Sequence, residues 1–154
     1  MNPLDDELDR RIGTRIKRAE QLLMATKARA LKPFDITVPQ YATLLYLRYV
    51  PAASAAQLAR ASLVSPQTMA TILGNLEGKG LVERTASLFH QKVLETRLTE
   101  AGRRVVDEAD LAARAIEDRM LDAVTADEAA QLKSLLDRVM AAIDEAPDVR
   151  DASA

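Results

Sequence analysis

Apolar residues recur at helical spacing near the start of the chain, with arginine and lysine between them. The series is Leu4, Leu8, Ile12, Ile16, Ala19 and Leu23, and Pro33 closes it. This period predicts one amphipathic helix of about 27 residues, roughly 40 Å long at about 1.5 Å per residue. Because so long a helix is hard to bury within a small domain, we expect its apolar stripe to meet a partner chain.

Four later helix starts carry N-capping signatures, in which a Ser or Thr side chain accepts from backbone amides of the first turn. The capping residues are Thr37, Ser54, Ser65 and Thr125. Pro66 follows one of them at the first helical position, where its missing N–H costs little. The apolar periods after these starts predict four helices, which end before Pro51, at about Ala61, near Gly78, and beyond Ile143.

The period changes between Gly80 and Thr99, where residues 81–84 and 93–98 read as two short strands of a hairpin. Thr99 then begins a helix with one predicted apolar face, composed of Ala101, Val105, Ala109, Ala112, Ile116 and Met120. Two short helices followed at once by a hairpin are typical of a winged helix–turn–helix. The predicted fold class is therefore mainly α with a small β-hairpin (α+β).

This order of elements also predicts the domain organisation. Residues 37–103 form the winged helix–turn–helix, expected to bind DNA, and residues 1–36 and 104–146 form a helical dimerisation region. Residues 147–154 are expected to be a flexible tail.

Composition narrows the chemistry. The chain has no cysteine and one histidine, His90, so disulfides and thiolate metal sites are excluded and a structural zinc site is not expected. No cofactor is predicted. The charged first residues lack the apolar run of a signal peptide, and no stretch of 18 apolar residues occurs, so a cytoplasmic protein without a membrane span is expected.

The net charge of −2 is unevenly distributed. Residues 1–53 carry +3, residues 54–104 carry +3, and residues 105–154 carry −8. Phosphate binding depends on local charge, so the acidic total does not exclude a DNA partner. By itself, this distribution is equally typical of a solvated surface.

The helix that begins after Ser65 carries the most informative pattern. Met69, Ile72, Leu73 and Leu76 fall on one side of it. The opposite side presents amide and hydroxyl groups without an acid, from Gln67, Thr68, Thr71 and Asn75. Asn and Gln can pair bidentately with adenine, and a helix N-terminus such as that at Ser65 suits a phosphate. An isolated polar face is more often plain surface, but this helix stands where a recognition helix belongs.

Several short motifs resemble, in order and spacing, those of the MarR family of transcriptional regulators. They are Val38-Pro39-Gln40-Tyr41, Gln57-Leu58-Ala59, Ser65-Pro66-Gln67-Thr68-Met69, Leu76-Glu77-Gly78-Lys79-Gly80-Leu81-Val82-Glu83-Arg84 and Arg97-Leu98-Thr99-Glu100-Ala101-Gly102. The resemblance covers about residues 5–145. It implies a homodimer on a pseudo-palindromic duplex operator and repression relieved by a small, often aromatic or phenolic, anion.

We therefore predict two sets of site residues. The predicted DNA contacts are Ser54, Gln57, Ser65, Gln67, Thr68, Thr71, Asn75, Arg84 and Lys92. The residues expected to flank an inducer cavity are Arg15, Met24, Phe34, Tyr41 and Tyr46, with Arg15 as the partner of an anionic ligand. For each residue of the second set, an ordinary core or interface role is the more common one.

The wing departs from the family pattern. Where many members carry Asp-x-Arg, this chain has His90-Gln91-Lys92, preceded by Leu88 and Phe89 at the expected tip. Lys92 can neutralise a phosphate but lacks the planar fork of arginine, so a weaker or differently used wing is expected. His90 fits a contact within its own hairpin slightly better than a contact with DNA.

Two other classes of function remain as alternatives. No Ser/His/Asp set, glycine-rich phosphate loop or metal-ligand cluster occurs, so an enzyme is not expected. A winged-helix module that docks proteins without binding DNA specifically is the stronger alternative, favoured slightly by the low net charge and the altered wing. Against it stands the acid-free polar face, since docking surfaces more often expose aromatic or leucine side chains.

Overall fold

The computed structural model describes residues 7–8, 10–87 and 93–145. They belong to two compact units, Met1–Ile116 and Glu117–Ala154. The elements in chain order are α1 (Ile12–Leu31), a 3-10 turn (Lys32–Phe34), α2 (Val38–Tyr49), β1 (Ala53–Ser54), α3 (Ala55–Ala61), α4 (Pro66–Gly78), β2 (Val82–Ala86), β3 (Leu94–Leu98), α5 (Glu100–Asp122) and α6 (Ala126–Asp144). The mainly helical fold with a small antiparallel sheet is confirmed. The predicted tail at 147–154 lies outside the described residues.

The first helix is shorter than the sequence pattern predicts. It begins at Ile12, because Arg11 has an extended backbone (φ −84°, ψ 121°), and it ends 20 residues later at Leu31. Leu8 is helical on the other side of this break, so the prediction of one continuous helix is wrong. Gly13 offers a physical reason, since glycine in a first turn opposes helix propagation across it.

All four predicted capping residues cap a helix. Thr37, Ser54 and Thr125 form reciprocal capping boxes. Each capping side chain accepts from the backbone N–H three residues on, and the backbone N–H of the capping residue donates to the side chain of that same residue. The Ser65 side chain accepts from the Thr68 amide, with Pro66 next in the chain. Caps depend on residues three apart, so the sequence pattern alone locates these helix starts.

Three strands form an antiparallel sheet in the order β1-β3-β2. Strands β2 and β3 pair from Val82 opposite Leu98 to Ala86 opposite Leu94, which confirms the predicted hairpin. The sequence pattern missed β1, whose two residues pair with the far edge of β3, with Ala53 opposite Thr96. A strand of two residues is too short to show a period of two.

The core of the first unit is built mainly from leucine, with fully buried side chains on α2, α3 and α4. Helix α5 buries Gly102, Val106, Ala109 and Ala113, so the predicted position Ala109 is confirmed and the other three lie one position beyond those predicted. Gly102 explains the difference, because a Cβ atom there would lie 1.9 Å from the carbonyl oxygen of Leu81. The helix therefore turns its glycine, and not Ala101, toward the start of the hairpin.

The second unit contains the last turns of α5 and all of α6. Helix α6 is amphipathic but buries no residue within the chain. Its exposed large apolar side chains are Leu132, Leu135, Leu136, Met140 and Ile143. Their spacing of three and four residues places them along one stripe of the helix.

Candidate nucleic-acid interface

Helix α4 is fixed to the first unit along its apolar side. Met69, Leu73 and Leu76 are 0% exposed, and Ile72 is also buried. At the start of the helix, the Ser65 Oγ atom accepts from the Thr68 amide at 3.1 Å. The burial confirms the predicted inner face, and the rigid packing leaves the other face in a defined orientation.

The outer face of α4 is polar, and its side chains Gln67, Thr68, Thr71 and Asn75 are all exposed. The Thr71 hydroxyl donates to the Gln67 carbonyl oxygen at 3.2 Å. The exposed side-chain amides of Gln67 and Asn75 can each donate and accept at a base edge. We call these four residues the outer face of α4.

Helix α4 contains a single acid, Glu77, in its last turn. The Arg84 guanidinium on β2 donates to Glu77 Oε2 from Nε at 3.1 Å and from Nη2 at 2.5 Å. The hydrogen bond from Arg84 lowers the pKa of Glu77, and the same bond raises the pKa of Arg84. Both groups therefore stay charged at neutral pH, and Arg84 is held against the carboxyl end of α4.

A second cation, Lys79, lies just after α4 and contacts the turn that follows α1. Its Nζ atom lies 3.0 Å from Asp35 Oδ2 and also donates to the Asp35 backbone carbonyl oxygen. Asp35 has a left-handed backbone (φ 53°), a conformation that Asp tolerates better than most residues. The contact joins the end of α4 to the junction between α1 and α2.

Ser54 and Gln57 lie at the start of α3 and use part of their hydrogen-bonding capacity locally. Gln57 Oε1 accepts from the Ser54 amide at 2.8 Å, and Ser54 Oγ accepts from the Gln57 amide at 3.2 Å. The Ser54 O–H and the Gln57 NH₂ remain donors toward solvent. Both residues border an open cavity of about 370 Å³, whose other lining residues are Ala52, Arg60, Ser87, Val93 and Glu95.

The wing tip carries the remaining predicted DNA contact. Lys92, together with Leu88, Phe89, His90 and Gln91, lies outside the described residues. Of the nine predicted contacts, the described residues thus bring five together along α4 and its cap, and Arg84 at its carboxyl end. Ser54 and Gln57 lie on the neighbouring helix α3.

The predicted inducer residues are distributed over α1, the 3-10 turn and α2. Tyr41 is buried and its hydroxyl donates to Asp110 Oδ1 at 2.7 Å. Phe34 and Tyr46 are partly buried and pack against the core. Met24 is partly buried on α1, and Arg15 is exposed on the same helix. The structure thus engages Tyr41 in a contact between α2 and α5.

Two neighbouring ion pairs, one between α2 and α5 and one within α5, were not found from the sequence. Arg48 Nε donates to Asp107 Oδ1 at 2.7 Å, and Arg114 Nε donates to Asp110 Oδ2 at 2.6 Å. These hydrogen bonds raise the pKa of both arginines. The four residues line a cavity of about 100 Å³ together with Leu45, Tyr49 and Val106. The only sequence signal is Asp107, Asp110 and Arg114 on one face of α5, three and four residues apart.

Two further structural facts concern the described part of the chain. None of its groups of His, Cys, Asp and Glu has the composition and proximity to hold a metal ion. None of its helices is long and apolar enough to cross a membrane.

The arrangement of α3, α4 and the hairpin, with a polar face on the second helix, defines a winged helix–turn–helix protein. The sequence model of the MarR family matches residues 34–91. The HTH-type transcriptional repressor Rv2887 of Mycobacterium tuberculosis is 34% identical over 131 residues, which cover 85% of this chain and 94% of that protein. The chain belongs to the MarR family.

Two solved structures illustrate the likeness. Rv2887 in complex with p-aminosalicylic acid is 33% identical, covers 84% of this chain and 98% of its own, and superposes with a TM-score of 0.65. The transcriptional repressor CouR, bound to a 23-mer DNA duplex, is 26% identical, covers 87% and 95% of the two chains, and has a TM-score of 0.80.

Proposed function

We propose that this chain is a homodimeric transcriptional repressor that binds a pseudo-palindromic duplex operator through the outer face of α4. The observation that carries the proposal is that this face is exposed, polar and acid-free, while the opposite face is fixed in the core. Relatives with this fold support it, since Rv2887 is named a transcriptional repressor and CouR was solved on a DNA duplex.

In this proposal, α4 enters the major groove, where some of its side chains contact bases and others contact phosphates. Gln67 and Asn75 pair with base edges, adenine being the best partner for either amide, and the Thr71 methyl can meet a thymine methyl. Thr68 and the Ser65 end of the helix bind a phosphate. The remaining contacts, all to the sugar–phosphate backbone of the DNA, come from Ser54, Gln57, Arg84 and Lys92.

The dimer is proposed from the apolar side chains that one chain leaves uncovered. Ile12 and Leu22 on α1 are each about two-thirds exposed, and α6 leaves a whole stripe exposed. Segments 1–36 and 104–146 would bury these side chains against a second copy. A two-fold dimer places two α4 helices in successive major grooves, and this geometry requires a pseudo-palindromic site.

Release of DNA is proposed to follow binding of a small aromatic anion, because Rv2887 was solved with p-aminosalicylic acid. Arg15 would pair with the carboxylate or phenolate, and Met24, Phe34, Tyr41 and Tyr46 would flank the ring. The Tyr41–Asp110 hydrogen bond joins this region to α5, so a ligand there can disturb the packing of the winged segment. The activity is that of a cytoplasmic regulator without an enzymatic step or a cofactor.

Titration of the purified protein into labelled DNA from its own upstream region, with mixed-sequence duplex as control, tests the proposal. A preference of at least about 10³-fold, with two chains per site, is expected for a specific dimeric regulator. Addition of salicylate should release the bound DNA. Failure to bind either duplex at low salt would contradict the proposal and favour a protein-docking module.

A further inference from the structure

The carboxyl end of α4 is electrostatically unfavourable for DNA. Glu77 is the only acid in Pro66–Gly78, and the last turn of the helix contains no basic residue. The helix dipole adds partial negative charge at the same end. An uncompensated carboxylate at this place would repel the phosphates beside the groove that α4 is proposed to enter.

Arg84 compensates this charge from the neighbouring strand. Its Nε and Nη2 atoms both donate to Glu77 Oε2, so one edge of the guanidinium is held against a single carboxylate oxygen. The Arg84 side chain is only 30% exposed and extends from β2, whose pairing with β3 fixes its backbone. A guanidinium has five N–H donors, and the contact with Glu77 uses two of them, which leaves three for another acceptor.

We infer that Glu77 is a positioning residue for DNA binding, which holds the Arg84 guanidinium at the carboxyl end of α4 so that its remaining donors bind a phosphate. The inference rests on the proposed function. In the wing, this chain has His90-Gln91-Lys92 where an Asp-x-Arg motif is expected, so that segment supplies no arginine oriented by an acid. The inference assigns this role to Arg84 and Glu77 instead. The planar fork of arginine suits the role, because it can bridge a carboxylate and a phosphate through different edges.

The inference predicts an effect opposite in sign to that of charge alone. Removing an acid near DNA normally strengthens binding, since one repulsion of the phosphates disappears. If Glu77 orients Arg84, its removal releases the arginine side chain and weakens binding instead. The sign of the change therefore separates a positioning role from a purely electrostatic one.

The test measures fluorescence anisotropy of a labelled mixed-sequence duplex, because a phosphate contact does not depend on base sequence. Glu77→Ala should weaken binding about fivefold, which corresponds to the loss of one ordinary hydrogen bond. Glu77→Gln should bind at least as well as the wild type, because the Gln carbonyl still accepts from Arg84 and the repulsion of the phosphates is removed. The matched control is Glu83→Ala, which removes an exposed acid from the same strand, on the opposite face from Arg84. It should bind equally well or more tightly.

A double-mutant cycle isolates the coupling. Arg84→Ala should weaken binding and lower the slope of log affinity against log salt by about one, as expected for a single phosphate contact. In the Arg84→Ala background, Glu77→Ala should strengthen binding, because only the removal of the acid then remains. A destabilised fold would weaken binding in both backgrounds, so this inversion of sign excludes a merely structural role.

The outcomes separate the inference from the proposed function. Tighter or unchanged binding by Glu77→Ala, with a wild type that binds the duplex, would overturn the positioning role and leave the repressor proposal standing. A Glu77→Ala defect that persists unchanged with Arg84→Ala would also overturn it. A wild type that binds no duplex at low salt would overturn the proposed function and the inference together.

Discussion

Helices α4 and α6 are both amphipathic, yet the apolar side of α4 is buried and that of α6 is exposed. On α4, Leu73 and Leu76 are 0% exposed, and the polar side faces outward. On α6, Leu135 is 52% and Ile143 is 66% exposed, and no residue of the helix is buried. The apolar side of α4 is buried within a single chain, whereas the apolar side of α6 is exposed.

The difference indicates what each helix is used for. A helix whose apolar side is satisfied internally can offer its polar side to a ligand in a fixed orientation. A helix with an uncovered apolar stripe gains stability only when another surface covers it, at about 25 cal/mol per Å² of apolar area. We therefore connect α4 with DNA and α6 with a second copy of the chain.

The largest expected effect comes from truncating one leucine on each helix. Leu73→Ala opens a cavity in the core and should lower the free energy of unfolding by about 3 kcal/mol. Leu135→Ala should instead lower the unfolding midpoint mainly at low protein concentration, where a weakened dimer dissociates, because its side chain is buried only in a dimer. Denaturant unfolding at several protein concentrations measures both. Equal, concentration-independent losses would contradict the contrast between the helices.

A charge on the α6 stripe should act on assembly alone. Leu135→Asp places an unpaired carboxylate in the proposed interface and should raise the dimer dissociation constant about 30-fold or more, a cost of roughly 2 kcal/mol. Sedimentation equilibrium gives the constant directly. The control is Asp137→Asn, which changes the charge of a neighbouring exposed residue but removes no apolar area. A dimer unaffected by Leu135→Asp would show that the stripe has another partner.

Substitution on the outer face of α4 should change recognition and leave the fold intact. Gln67→Ala should reduce discrimination between operator and mixed-sequence DNA by about 1–2 kcal/mol, since a bidentate amide–base pair is lost. Stability should stay within about 0.5 kcal/mol, because the side chain is exposed. Competition binding gives the first quantity and thermal unfolding the second. Unaltered discrimination would exclude Gln67 as a base contact.

A small gain in stability is expected from one substitution in the winged helix–turn–helix, residues 37–103. Thr96 lies in the middle of β3, and its Oγ1 atom is buried without a hydrogen-bond partner among the described residues. Thr96→Val should raise the free energy of unfolding by up to about 1 kcal/mol. Thr43→Val is the matched control, because the Thr43 hydroxyl donates to the Pro39 carbonyl at 2.9 Å, and its loss should destabilise. Destabilisation by both substitutions would show that Thr96 has a partner.

The sequence pattern located those features that depend on residues close together in the chain. Ser65 and Thr125 cap their helices as predicted, because a cap requires only the next three residues. The inner face of α4 follows from its period, which the burial of Leu73 and Leu76 confirms. Each of these predictions rests on local geometry, which the spacing of residue types in the sequence indicates directly.

Features that depend on distant pairing were missed or misplaced. Arg48 and Asp107 are 59 positions apart, and neither has a local pattern that identifies the other. Strand β1 exists only because β3 lies beside it. The buried face of α5 includes Gly102 because the Leu81 carbonyl approaches it, a contact that no apolar periodicity records. Tertiary packing decided these features.

Carbethoxylation interference, with diethyl pyrocarbonate, on the bound upstream duplex tests most directly the claim that two α4 helices read DNA. Carbethoxylation at purine N7 blocks major-groove contacts, so interference should fall in two segments about 10 base pairs apart and related by a two-fold axis. Gln67→Ala should remove interference at matching positions in both segments. One unpaired segment, or interference that Gln67→Ala leaves unchanged, would contradict the account.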